Sequence, residues 1–217
     1  MYGFEMSATM VSNITDKVIE VATDWQARPL QSVYPIVFFD AIHYKVKKEG
    51  KIVCKAAYTC LGIDNEGKKD VLGIWIGECE GAKFWLKVCT ELQNRGVKDI
   101  LIACIDGLKS LPEAIRAIFP EVKIQLCVIH MICNSIKYIP NKYAKEFAAD
   151  LKGIYGAHTV EQAEQKLEKL GGKWNNKYPL AVKPWVVHWD NIKTFFEFSA
   201  PIRRMIYTTN AVEALHR

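Results

Sequence analysis

The sequence predicts an α/β fold: a mixed five-stranded sheet with flanking helices and an all-helical insertion. Three strand-like runs follow one another across short turns at 34–47, 52–63 and 70–77. Two more apolar runs, at 100–105 and 123–128, each follow a helical pattern, and after 128 the apolar residues keep only the helical period. Half of the 217 residues are apolar, and 29 Lys+Arg against 24 Asp+Glu leave a formal charge of +5. That composition supports one well-cored domain and excludes a disordered or collagen-like chain.

Each element has its own local cause. Over 7–25, Met10, Val11, Ile14, Val18, Val21 and Ala22 recur at three- and four-residue intervals, so the stretch reads as an amphipathic helix. Arg28-Pro29-Leu30 ends it, because proline removes a donor and biases its predecessor away from helix. Residues 34–47 are aromatic and β-branched and alternate after Asp40, which marks a first strand. Glu49-Gly50 and Asp64-Asn65-Glu66-Gly67 are turns into the second and third strands, giving an antiparallel meander. A helix follows over 82–94, with Phe84, Trp85, Val88, Cys89 and Leu92 on one face and Gly96 closing it.

The unbroken apolar run 100–105 is reached by that crossover helix and so reads as a buried parallel strand, terminated by Asp106-Gly107. Ser110 is the expected N-cap of a short helix through Phe119, with Pro112 near its start. Residues 123–128 form the last strand, and a helix begins at His130. From 141 to about 170 the pattern is helical and charged, with Gly171-Gly172 as its expected break. The stretch 174–199 carries Trp174, Trp185 and Trp189 with Phe195, Phe196 and Phe198.

Several functions are excluded by what the sequence lacks. No apolar run approaches the roughly 18 to 20 residues of a membrane-spanning helix, and the first twenty residues lack the order of a signal peptide, so the expected location is cytoplasmic. Seven cysteines, odd in number and mostly inside apolar runs, argue against a disulfide scaffold. There is no P-loop, no Gly-x-Ser-x-Gly elbow and no dinucleotide fingerprint, so nucleotide hydrolysis is not supported. The mild positive charge permits nucleic acid as a partner without requiring it.

Two carboxylates stand out. Asp40 follows Ile36-Val37-Phe38-Phe39, and Asp106 ends its own apolar strand. Taken singly, each reads equally as a strand-end Asp bonded to local backbone or as part of a turn. The element order matches the ribonuclease-H-like fold, however, and right-handed crossovers set the strand ending at Asp106 beside the first strand. Adjacent carboxylates repel unless a proton or cation lies between them, and Mg²⁺ suits a few carboxylates completed by water and phosphate.

The motifs then resemble a known family. Phe39-Asp40-Ala41-Ile42-His43, Asp106-Gly107-Leu108-Lys109 and Gln125-Leu126-Cys127-Val128-Ile129-His130 are similar to segments of the mutator-type transposases of bacterial insertion sequences. So is the tail Thr208-Thr209-Asn210-Ala211-Val212-Glu213, and the resemblance covers essentially the whole chain. It implies a DDE triad of Asp40, Asp106 and Glu213 binding two Mg²⁺ or Mn²⁺ ions and cleaving and joining DNA at element ends. It further implies insertion-sequence ends and target DNA as partners, a homodimer in the full-length form, and association with the bacterial nucleoid when bound to DNA.

The division implied is 1–30 as the end of an N-terminal helical region, 31–139 as the ribonuclease-H-like catalytic core, 140–200 as a helical insertion, and 201–217 as the start of the helix carrying the third acid. A third carboxylate from a helix suits a two-ion site, whose ligands must arrive from more than one element. Read alone, Glu213 is a solvated helix-surface residue; only the resemblance makes it the third acid.

Cys127-x-x-His130, with Cys133 beyond it, offers only three of the four ligands of a closed zinc site. Positioning DNA, or a core cysteine beside a bonded histidine, are the other readings. Trp174, Trp185 and Trp189 are candidates for base stacking, at roughly 1 to 3 kcal/mol per stack, or for packing a helical core. Lys45, Lys47, Lys48, Lys109, Arg203 and Arg204 are candidate phosphate contacts or simply solvated charges.

The chain departs from the family pattern at position 133, commonly Arg and here Cys, and at both ends. It starts with what resembles only the last helix of the N-terminal region and stops four residues past Glu213. The expectation is therefore a truncated transposase with weakened activity, or a non-catalytic DNA-binding or dimerising remnant.

Overall fold

The computed structural model describes residues 7–48, 50–77, 81–107 and 110–207. Its spine is β1 (Val33–Lys48), an aromatic and β-branched strand that pairs antiparallel with β2 (Lys51–Ile63) and parallel with β4 (Asp99–Ile105). With β3 (Lys69–Gly77) and β5 (Lys123–Leu126) the sheet order is β3-β2-β1-β4-β5. An antiparallel meander joined to two parallel strands in this order is the ribonuclease-H-like arrangement. Right-handed crossovers through α2 (Ala82–Asn94) and α3 (Leu111–Ile118) produce it.

The period of two along the strands sorts residues onto two faces. Val37, Phe39, Ala103 and Ile105 face α2 and α3, where Trp85, Val88, Cys89, Leu92 and Ile115 complete a large core. Ile36, Phe38, Ile102 and Cys104 face the other way, toward Phe195 and Ile206. Those two come from a 3₁₀ turn (Thr194–Glu197) and the C-terminal helix Ala200–Ile206. Trp85 sits at the centre of the larger core, edge-on to both Phe39 and Tyr58.

The first helix, α1 (Ala8–Ala27), is capped by Ser7, whose Oγ accepts from the Met10 amide. Its last turn is tied to the sheet. Gln26 bonds Glu91 and accepts from the Ile74 amide, and Arg28 just beyond it pairs with Asp70 at 2.7 Å. None of the helices is long and apolar enough to cross a membrane, among the described residues.

Three local expectations change. Strand β5 ends at Leu126 and α4 (Val128–Ile136) starts at once, two residues before His130, so Cys127 is its N-cap residue. Ser110 occupies the left-handed region at φ 63° and makes no side-chain cap bond to α3. The long helical pattern after 141 is two helices, α5 (Asn141–Tyr155) and α6 (Val160–Trp174), separated at Gly156 and started again by Thr159, whose hydroxyl accepts from Gln162.

Gly171-Gly172 therefore lies inside α6 instead of breaking it. Glycine costs about 1 kcal/mol per helical position, but continuing the helix buries Trp174 against Phe147 and lets its Nε1 donate to Asp150 at 2.8 Å. Burial of an indole outweighs two glycines. Two more helices, α7 (Pro179–Val187) and α8 (Trp189–Lys193), complete the helical part before the C-terminal helix α9 (Ala200–Ile206).

Candidate active site

The parallel ladder between β1 and β4 ends at Phe39 opposite Ile105. The next residue in each case is an aspartate, so Asp40, still within β1, and Asp106, just past the end of β4, stand side by side at the carboxyl end of this parallel ladder. Each position follows from the residues before it: Val37, Phe38, Phe39, Ala103, Cys104 and Ile105 are all fully buried, which fixes register and depth. Gly107, at φ 90°, then turns the chain sharply away after Asp106, a conformation that glycine adopts at no steric cost.

Asp40 is only 5% exposed and stands opposite the buried Thr59 of β2. A third group arrives from the neighbouring junction. The Cys127 amide donates to the Ile105 carbonyl at 2.7 Å, which pins the start of α4 to the end of β4. His130, in the first turn of that helix, is thereby brought to the two acids. One ligand atom from each of Asp40, Asp106 and His130 lies within 4.8 Å of the others, a grouping that can hold a metal ion.

The electrostatics follow from that grouping. Hydrogen bonding to the Cys127 sulfur raises the His130 pKa to about 9 against the opposing cost of burial, with the negative charges nearby, Asp106 and Asp40 among them, adding to the rise. Without metal, an imidazolium offsets two carboxylates. A divalent cation would serve the same electrostatic need and would displace that proton. The donor set of two carboxylate oxygens and one imidazole fits Mg²⁺ or Mn²⁺. It lacks the thiolates of a structural zinc site. Cys133 is exposed and outside the cluster, whereas burial pushes the Cys89 thiol up to about 12 and the Cys60 and Cys104 thiols well up, as in core hydrophobes.

A cleft of about 470 Å³ opens beside Asp106 between α4 and α7, lined in part by Met131, Asn134, Lys137, Tyr138 and Lys183. The expected residues distribute unevenly around it. Asp40, Asp106, Cys127 and His130 come together. Trp185 is fully buried and donates to Ser135 Oγ at 2.9 Å, and Trp174 is packed as described, so of the two readings of these indoles packing is the one realised. Trp189 is half-buried, lies tilted against the Phe196 ring and donates to Glu164 at 3.0 Å.

Arg203 donates to the carbonyls of Phe198 and Phe196 and lies over the rings of Phe195 and Phe196, holding the turn into α9, while Arg204 is exposed. Lys109 and the tail motif from Thr208 to Glu213 lie outside the described residues, as does the Lys48 side chain. The last described residue, Tyr207, is hydrogen-bonded to Tyr155, and its hydroxyl is held well above its usual pKa by burial first and by that bond second.

Two features escaped the sequence reading. From the sequence, Cys127-x-x-His130 reads as a DNA-positioning motif or a core pair, yet the His130 ring is part of the cluster; its signal is the x-x spacing from a residue at a strand end, which puts it on the first helical turn. Lys137 and Lys183 carried no local signal, because only the packing of α4 on α7 brings them to one cleft.

Comparison with known proteins adds the lineage. The family model described as "Transposase, Mutator family" matches residues 1–217. The transposase for insertion sequence element ISRM3 of Rhizobium meliloti is 45% identical over all of this chain, which spans 54% of that protein. A probable insertion-sequence transposase of Corynebacterium diphtheriae is 39% identical over 99% of the chain, which spans 63% of it. The IS905 transposase of Lactococcus lactis is 30% identical over 100% of the chain and is spanned to 55%. The chain thus spans little more than half the length of these relatives. A chain of the simian T-cell lymphotropic virus intasome, solved in complex with PP2A regulatory subunit B56 gamma, aligns over 75% of this chain and 49% of its own at TM-score 0.30 and 13% identity, too distant to add to the fold assignment. With a family match over its full length and relatives of this identity, the chain belongs to the mutator family of transposases.

Proposed function

We propose that this chain carries the catalytic core of a DNA transposase that cleaves and joins strands at insertion-sequence ends. The observation that supports this most is the juxtaposition of Asp40 and Asp106 on adjacent parallel strands, with His130 beside them. The two aspartates hold Mg²⁺ or Mn²⁺, and Glu213, by motif match, completes a two-ion set. Such ions, when bound, polarise the scissile phosphate and lower the pKa of water or of an attacking 3′-hydroxyl.

The protein's own groups do the rest. Rigid, fully buried strands hold the Asp40 and Asp106 carboxylates in place, so little reorganisation is needed as charge develops on the phosphate. Protonated His130 offsets part of the pair's negative charge in the metal-free chain and would be the group to lose a proton if it became a ligand. The cleft beside Asp106, with Lys137 and Lys183 on its walls, receives the strand being cut. DNA is the partner on this reading, and paired cleavage of two ends implies two copies of the protein.

A nicking assay tests the proposal. With Mn²⁺ and a plasmid carrying one element end, the chain should nick at that end, and Asp106→Asn should lower the rate at least 100-fold while leaving DNA binding intact. Binding without nicking would contradict the catalytic reading, and nicking without preference for the end would point to a general nuclease.

A further inference from the structure

Beyond the metal cluster, β1 and β2 run on past the sheet. The last pairing of β1 with β4 is at Phe39 and the last pairing of β2 with β3 is at Ala56, whereas β1 and β2 stay paired out to Lys48 opposite Lys51. Among the described residues, the tip of this hairpin is therefore a two-stranded ribbon that pairs with no third strand. At about 3.3 Å per residue it reaches roughly 26 Å beyond Asp40.

The charge is concentrated there. Residues 44–55 hold five lysines and one glutamate, a net +4 (5 − 1), while the whole chain is +5 (29 − 24). The other 205 residues (217 − 12) therefore share a net +1. Lys45, Lys47 and Lys51 are exposed, and none forms an ion pair among the described residues. The cations also occupy both faces. Lys45 and Lys47 lie opposite Cys54 and Ile52 on one face, and Lys55 opposite Tyr44 and Lys51 opposite Lys48 belong to the other.

We infer that the ribbon of residues 44–55 is a DNA arm that enters a groove of the duplex and sets the position of the scissile strand relative to Asp40. A two-stranded ribbon fits the major groove of B-form DNA, about 12 Å wide. Inside a groove the phosphates flank the ribbon on both sides, so cations on both faces are what the occupant requires. A membrane surface would instead favour charge on one face and an apolar opposite face. Because β1 is a single strand from Phe39 through Lys48, DNA held by the ribbon is registered to the catalytic end of the sheet without an intervening hinge. The contacts are to phosphate, so the arm supplies affinity and register and not sequence choice. The inference rests on the transposase reading above, through its choice of DNA as partner.

The test is fluorescence anisotropy of a labelled 30-base-pair duplex, titrated with the 217-residue chain across a salt series. The variants are Lys45→Gln/Lys47→Gln/Lys51→Gln and, as a control of equal charge change, Lys145→Gln/Lys152→Gln/Lys169→Gln on the exposed surface of α5 and α6. All six side chains are exposed, and matched thermal melts verify that both variants fold. The ribbon variant should bind about tenfold or more weakly at 0.1 M salt, with the log–log salt slope reduced by about 2 to 3, and the control by clearly less. If the parent binds and both variants weaken equally, or neither does, the ribbon is not the arm although DNA remains the partner. If the parent fails to bind duplex DNA even at low salt, the DNA reading falls together with the inference.

Discussion

At the scale of single residues, His130 has the most specific consequence. Its folded pKa of about 9 lies above the ordinary histidine value of 6.5, so between those values the native metal-free chain holds a proton that the unfolded chain has lost. The resulting stability is fully present below pH 6.5 and disappears as pH rises through 9. In EDTA, the urea midpoint of the parent should fall across that window, and that of His130→Gln should stay nearly flat. A parent midpoint independent of pH would contradict the charge arrangement at the cluster. Both aspartates are legible in the sequence because four apolar residues precede each one. The histidine's part is not, since it depends on the bond from the Cys127 amide to Ile105, a tertiary contact with no local signature.

At the scale of elements, three glycines show what a sequence pattern leaves open. Gly171 and Gly172 read as a helix end, yet α6 continues because Trp174 and Leu170 are buried by it. Neither glycine is sterically required, as a Cβ at either position would meet nothing within 4 Å. Replacing Gly171 or Gly172 with Ala should therefore raise stability by about 0.5 to 1 kcal/mol each, seen as a higher melting temperature; a loss would mean that the helix is strained there. Gly62 of β2 is the opposite case. A Cβ there would lie 2.6 Å from the Tyr34 ring and 3.0 Å from Leu72, both fully buried. Gly62→Ala should cost about 1 to 3 kcal/mol through overpacking, measurable by urea unfolding, and a neutral result would show that the Tyr34 ring is not fixed.

At the scale of the whole molecule, the sheet order followed from the sequence because few topologies satisfy a meander, two crossovers and right-handedness together. What periodicity could not give was which face of each helix meets what. The three tryptophans shared one composition signal, but only the packing of α4 to α7 separates Trp185 and Trp174, in the core, from the half-buried Trp189. The same limit applies to charge. A formal +5 looked mild when spread over the sequence, and its concentration on one projecting ribbon emerges only when β2 is seen to outrun β3.

The claim on which the functional account depends is that the carboxyl edge of the sheet binds a divalent cation through Asp40 and Asp106. Titration of Mn²⁺ at pH 7.5, followed by electron paramagnetic resonance of the free ion, measures it directly on the purified chain. The account predicts saturable binding that Asp106→Asn weakens by about tenfold or more, with the fold unchanged by circular dichroism. Equal binding by parent and variant would contradict it.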